Sequence, residues 1–220
     1  MPLATFSQTI ASLTQPFNGQ FPRPWMTSLS DPLSANVYVV GKNQAKGYSC
    51  ERISHQRHLD ALFNRAGESC RGLYDELTGG KPSPTRRNID GLSRELENTA
   101  GAKVLETNVI CYSTPMSADL RLEKHAGGAC LGTEIFAALL SFGTPKVIVA
   151  HGAGTRQVLS KLLGATLPPV PHQLCSPVPT TIAEMSIFVI PSLAPPAWNN
   201  WHDWSGEYLA RVANAVAAAV

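Results

Sequence analysis

The sequence is poor in charge, in paired cysteines and in long apolar runs. Asp, Glu, Lys and Arg make 15% of its 220 residues, against 44% hydrophobic residues. That balance excludes a charge-solvated disordered chain, which buries too little apolar surface to offset its conformational entropy. The formal net charge is +2, so any nucleic-acid binding has to come from a local basic patch. No stretch approaches the roughly 18 consecutive apolar residues of a bilayer span, so no membrane partner is expected. Met1–Thr14 places no Lys or Arg ahead of an apolar run, and is not expected to be a secretory signal. The five cysteines (Cys50, Cys70, Cys111, Cys130 and Cys175) are odd in number, scattered, and include no CxxC pair. Reduced thiols in a cytoplasmic protein are expected. A G-x-S-x-G elbow is also missing, so HGAG at His151–Gly154 has no serine nucleophile to serve as an oxyanion loop.

What is present is an alternation of apolar strands and amphipathic helices. The first 35 residues hold five prolines and predict a short helix over Leu3–Leu13 followed by an arm that wraps residues 36–220. NVYVVG (Asn36–Gly41), KVLETNVI (Lys103–Ile110), KVIVAHG (Lys146–Gly152) and SIFVIP (Ser186–Pro191) read as four buried strands. Helical spacing appears at His55–Asn64, at Ile89–Asn98 with Asn88 as its cap, at Cys130–Phe142, at Thr155–Leu163 and at Glu207–Ala219. The Pro-rich stretch Pro168–Pro179 reads as a loop. Strands alternating with helices imply right-handed crossovers and a parallel sheet covered on both faces. The expected fold is therefore α/β: a three-layer α/β/α sandwich with a four-stranded parallel sheet, in one domain.

Ligands of such sheets sit beyond the carboxyl ends of the strands, so those ends hold the candidate residues. After the first strand come Gly41, Lys42, Asn43 and Lys46. Asn43 is neutral and polar beside a glycine turn, either an ordinary loop residue or a ligand contact. Asn108 interrupts an apolar strand, where a buried amide must find partners or cost on the order of 1–3 kcal/mol. It satisfies neighbouring backbone or faces a ligand. Pro191 and Ser192 leave the fourth strand in a stiff turn that presents a hydroxyl to a phosphate. His151 ends the third strand, and is either a loop histidine or a substrate contact. Cys50, His55 and His58 lie close in sequence but lack zinc spacing, and the two histidines are expected on a solvated helix face. Arg86, Arg87 and Lys81 are expected in a solvated loop, with a phosphate contact as the alternative.

Taken together, GKNQA (Gly41–Ala45), TNVICYSTP (Thr107–Pro115), the stretch from Cys130 through Leu159 and IPSLAPP (Ile190–Pro196) resemble, in order and spacing, the motifs of the uracil-DNA glycosylase superfamily. The nearest layouts are those of its thermophile-type and mismatch-specific branches, and the likeness covers roughly Val37 to Trp201. It implies a uracil-DNA glycosylase-like fold and hydrolysis of the N-glycosidic bond of a deaminated or mismatched base, which must first leave the DNA stack. By this resemblance Asn43 positions the attacking water, Gly41 shapes the pocket, Asn108 reads the base edge, and Tyr48 is a stacking platform. Lys42, Pro191 and Ser192 then meet a DNA phosphate, and Trp198 acts as a wedge or wall.

Two departures bear on catalysis. Asn43 stands where the most active branch has an acid, and an amide positions water without accepting its proton. Ile190 stands where the family has a histidine that supports the leaving base, and loss of such a donor costs about 2.7–4 kcal/mol. Slow turnover is expected, or binding of a nucleobase, nucleotide or single strand without turnover; a small-molecule hydrolase is a third, weaker reading. Of the thermophile-type cluster ligands, Cys130 matches one and Cys111 falls one residue short of another. Two thiolates do not replace about four, so no cluster, no other cofactor and no metal is expected. The partner would be DNA or a free nucleobase or nucleotide, met by a monomer.

Overall fold

The computed structural model describes residues 3–220 as a mixed α/β chain with a mostly parallel sheet flanked by helices. In order the elements are α1 (Leu3–Leu13), β1 (Gln20–Phe21), β2 (Trp25–Met26), β3 (Val37–Asn43), β4 (Tyr48–Ser49), α2 (His55–Leu62), α3 (Cys70–Thr78) and α4 (Pro84–Ala100). β5 (Val104–Ile110), α5 (Gly128–Phe142), β6 (Val147–His151), α6 (Ala153–Leu163), β7 (Thr180–Ile182), β8 (Met185–Ile190) and α7 (His202–Ala217) complete it.

The four expected strands are β3, β5, β6 and β8, and they form the middle of the sheet. The expectation of a four-stranded sheet is corrected to six strands, in the order β2-β5-β3-β6-β8-β7. β3 pairs parallel with β6, and β6 with β8. The outer strands β2 and β7 are antiparallel to their neighbours. β2 lies in the segment read as an arm and β7 just past the loop read over Pro168–Pro179, because strands of two or three residues carry no alternation to detect. Pro22 and Pro24 lead into β2, which an edge strand tolerates.

Helix ends differ from expectation for local reasons. α4 starts at Pro84, whose missing N–H costs nothing in a first turn. Its cap is Ser83, which accepts from the Arg86 amide, not Asn88. Asn88 lies inside the helix and donates to the Leu193 carbonyl at 2.8 Å. α3, capped by Ser69 and closed by left-handed Gly79, was not anticipated.

Contacts divide the chain into two compact units that interleave along the sequence. Unit 1 takes the chain up to Ser34, then Lys42–Lys81 and Glu106–Thr144; unit 2 takes Ala35–Gly41, Pro82–Leu105 and Pro145–Val220. The cuts therefore pass through β3 and β5. Unit 1 centres on aromatic rings. Phe6 stacks on Trp25 at 5.4 Å and meets Phe142 at 5.3 Å, while Trp25 meets Phe63 edge-on at 5.6 Å. The Trp25 indole N–H is satisfied by the Leu62 carbonyl, so the ring is buried without an orphan donor. Unit 2 packs Val37, Val39, Val104, Val147, Val149, Phe188 and Ile190 against Leu92 and Leu96 of α4 and Tyr208, Val212 and Val216 of α7.

Glu123–Phe142 is one window apolar enough to count as a candidate span, at mean hydropathy 1.2, where none was expected. Left-handed Gly127 interrupts it. α5 itself has 15 residues, about 22 Å of helix, and it buries Ile135, Phe136 and Leu139.

Candidate functional site

Side-chain alternation sets which strand residues share a face. Val37 and Val39 of β3 belong to the unit 2 core, so Gly41 and Asn43 lie on their side of the strand. Val104 of β5 belongs to the same core, so Glu106 and Asn108 lie on its side. β3 and β5 are neighbours, and both amides therefore project from one face of the sheet.

In unit 1, Asn43 is fully engaged. Its Nδ2 donates to Thr114 Oγ1 at 2.9 Å and to the Gln44 carbonyl at 3.3 Å. Its Oδ1 accepts from the Ser117 hydroxyl at 2.6 Å. Thr114 in turn donates to the Met116 carbonyl at 2.7 Å. These bonds fix which end of the carboxamide is which, and none of the partners is a base. Asn108 differs. It is half-buried, and its carboxamide makes no hydrogen bond to the protein. Only its main-chain carbonyl is used, accepting from the Cys111 thiol at 3.1 Å. Burial pushes that thiol up to about 12, so Cys111 is an inert packing group, not a nucleophile.

Tyr48 is 3% exposed, and its ring is already occupied. The Arg23 guanidinium lies 5.2 Å over it and 5.2 Å over Tyr74, and Arg23 Nη1 donates to its phenol oxygen at 3.2 Å. His58 meets the same ring edge-on at 5.7 Å. Tyr48 thus serves as an internal cation–π platform. Burial raises its phenol above the usual tyrosine range, with Arg23 opposing. Lys42 is half-buried on the opposite side of β3 from Asn43.

In unit 2, Ile190, which ends β8, is fully buried among core side chains. Its register partner across the ladder is His151. His151 is 8% exposed, and its enclosed Nδ1 has no partner. Desolvation, with Arg86 adding to it, lowers its pKa to about 4. Pro191 is buried, and half-buried Ser192 accepts from the Ala194 amide at 3.2 Å. Trp198 packs edge-on against Trp201 at 4.7 Å. It is half-buried on the unit 2 core.

Three other expectations change. His58 is not on a solvated face: it is completely buried, with Nε2 donating to the Pro22 carbonyl at 2.9 Å, and desolvation lowers its pKa to about 4. His55 contacts Thr14 and Gln15. Arg86 is not in a solvated loop: it is 7% exposed in the first turn of α4 and pairs with Asp90 at 2.8 Å. Cys130 is exposed and Cys111 buried. Among the described residues, no three His, Cys, Asp or Glu side chains gather as metal ligands.

Sequence reasoning passed over Thr114, Ser117 and Arg23. Thr114 lies inside the quoted TNVICYSTP segment, and its hydroxyl next to a proline was the one available signal. Ser117 and Arg23 belong to irregular segments and left none. The sequence matches no protein-family model and no curated protein.

Proposed function

We propose that this chain binds a nucleobase or nucleotide on a uracil-DNA glycosylase-like fold, and that it does so without hydrolysing the glycosidic bond. The observation carrying this reading is the closed state of Asn43. Both ends of its carboxamide are spent on Thr114, Gln44 and Ser117. It lacks the basicity to take a proton, and Ser117 already holds one of the two lone pairs of its Oδ1. Burial of Ile190 in apolar packing supports the same view, since an aliphatic side chain stabilises no charge on a departing base.

Asn108 is the base-reading group in this proposal. A carboxamide offers one acceptor and two donors, which matches the edge of a uracil-like heterocycle. Its lack of protein partners also favours a second reading, slow DNA base excision.

One experiment separates the two. The protein is mixed with uracil, hypoxanthine or mismatched-thymine oligonucleotides, and binding and abasic sites are both measured. Binding without abasic product, weakened roughly tenfold or more by Asn108→Ala, is the expected result. Accumulation of abasic sites establishes excision instead. No binding to oligonucleotide, nucleotide or free base removes both readings.

A further inference from the structure

We propose that the arm formed by residues 17–26 is a proton-released latch, held against α2 by neutral His55 and His58 and let go when acid charges them. It draws on residues of unit 1 alone and needs no bound ligand.

The first observation is how the arm is held. The Phe21 ring stacks on two imidazoles, 5.5 Å from His55 and 5.3 Å from His58. His58 Nε2 faces the Pro22 carbonyl at 2.9 Å. A carbonyl only accepts, so Nε2 carries the hydrogen. Nδ1 is enclosed with no partner, so it is bare and the ring is neutral. The Gln15 amide donates to His55 Nδ1 at 3.2 Å, which keeps that nitrogen bare as well. Both rings therefore hold the arm in the form that acid removes.

The second observation is what the arm ties together. β1 pairs with β4 and β2 with β5. Gln20 Nε2 donates to the Ser113 carbonyl at 3.0 Å, while the Gln44 amide and the Thr107 hydroxyl donate to the Arg23 and Pro24 carbonyls. The Gln44 carbonyl in turn accepts from the Thr114 amide and from Asn43. Release of the arm thus loosens the segments that leave β3 and β5.

The third observation is the charge already present. Arg23 of the arm lies over Tyr48 and Tyr74, and its charge and that of His55 are the ones felt at His58. Tyr48 of β4 meets the His58 ring edge-on as a neutral phenol. Among the carboxylates of the surrounding elements, Asp60 pairs with Arg65, Glu68 and Glu76 pair with Arg57, and Asp75 pairs with Arg71. Glu106 of β5 is felt at Cys70. A phenyl face attracts an imidazolium, but a completely buried ring forfeits its water, and desolvation lowers the His58 pKa to about 4. A charged His58 would also bury a second N–H without an acceptor. Once released, the ring regains water and binds the proton freely, so acid favours the open arm.

The test is hydrogen exchange by mass spectrometry on the full chain at pH 7 and pH 5, each rate divided by the intrinsic rate at that pH. The arm is expected to open locally, with less protection than β6 and β8. Its protection should fall roughly twentyfold or more at pH 5, as follows from a latched His58 at about 4 and a released one near 6.5. Residues 111–114 should follow it. His58→Gln, whose amide still donates to the Pro22 carbonyl but takes no proton, should remove most of that fall. Equal arm protection at the two pH values overturns the proposal. So does an arm that exchanges at one common rate with β6 and β8, since the chain then opens as a whole. A fall as large in His58→Gln as in the wild type also overturns it. The two wild-type comparisons decide the matter even where the variant fails to fold.

Discussion

The strand ends of unit 1 and unit 2 hold their polar groups in opposite ways. In unit 1, Asn43 is tied down by Thr114, Gln44 and Ser117. In unit 2, His151 ends a strand with no hydrogen-bond partner and an aliphatic neighbour in register. A satisfied buried polar group adds rigidity, while an unsatisfied one costs desolvation energy and persists only when something else favours it. The two ends therefore read as a braced amide and an idle imidazole, and that contrast can be tested by substitution.

The largest effect is expected where unit 1 is supported from beneath. Trp25→Ala removes the ring that stacks on Phe6 and meets Phe63, and leaves the Leu62 carbonyl only the weak Cys70 thiol as donor. Truncation of a buried aromatic costs about 3–5 kcal/mol, read as a fall in the urea midpoint. A loss under about 1 kcal/mol, within the range of surface substitutions, would show that the rings do not support the braced site.

Acid acts on both units through buried histidines. His58 of unit 1 and His151 of unit 2 both drop to about 4, against about 6.5 unfolded. A depressed histidine binds fewer protons folded than unfolded. Its stabilisation is therefore whole above pH 6.5 and is lost as pH falls toward 4. The loss is on the order of 3 kcal/mol for each group. Denaturant titrations across that window should slope downward toward acid, and His151→Leu should remove part of the slope. A flat profile in the wild type contradicts burial of both rings.

The contrast itself predicts opposite signs. Asn43→Leu takes the amide donor from the buried Thr114 hydroxyl and releases Ser117 to water, and should destabilise by about 1–3 kcal/mol. His151→Leu removes an unpaired polar ring from an apolar setting and should stabilise by about 1 kcal/mol. Losses at both positions would mean that His151 has a hydrogen-bond partner after all, and the contrast between the strand ends would fail.

Legibility from sequence followed the length and periodicity of each segment. β3, β5, β6 and β8 run for five to seven residues and are rich in Val and Ile, and stood out. β2 and β7 did not, because two or three residues display no period. α3 was hidden by Gly72 and by a short apolar face of Leu73 and Tyr74. Pro82 and Pro84 read as a break, although Pro84 opens α4. Asn43 and Asn108 drew notice as amides at strand ends. What braces Asn43 did not, because Ser117 and Thr114 reach it across long sequence separations. The burial of His58 was missed for a related reason. The spacing of His55 and His58 described one helix face, and nothing local said that the face meets Tyr48 and Phe21.

The smallest effect tests the brace most directly. Ser117 is exposed and its hydroxyl donates to Asn43 Oδ1 at 2.6 Å. Ser117→Ala removes one hydrogen bond from a partly exposed pair, so the stability loss should be near 0.5–1 kcal/mol. The Thr114 bond persists and still sets the direction of the amide. What changes is the freed Oδ1, which then accepts from water or from the N–H of a bound base. If the closed carboxamide is what suppresses turnover, Ser117→Ala raises base binding, or any abasic-site formation, while stability barely moves. An unchanged ligand affinity in a folded Ser117→Ala protein would mean that the Ser117 bond does not compete with ligand. Asn43 would then be a structural amide throughout, and Asn108 would be left as the one free reader on that face of the sheet.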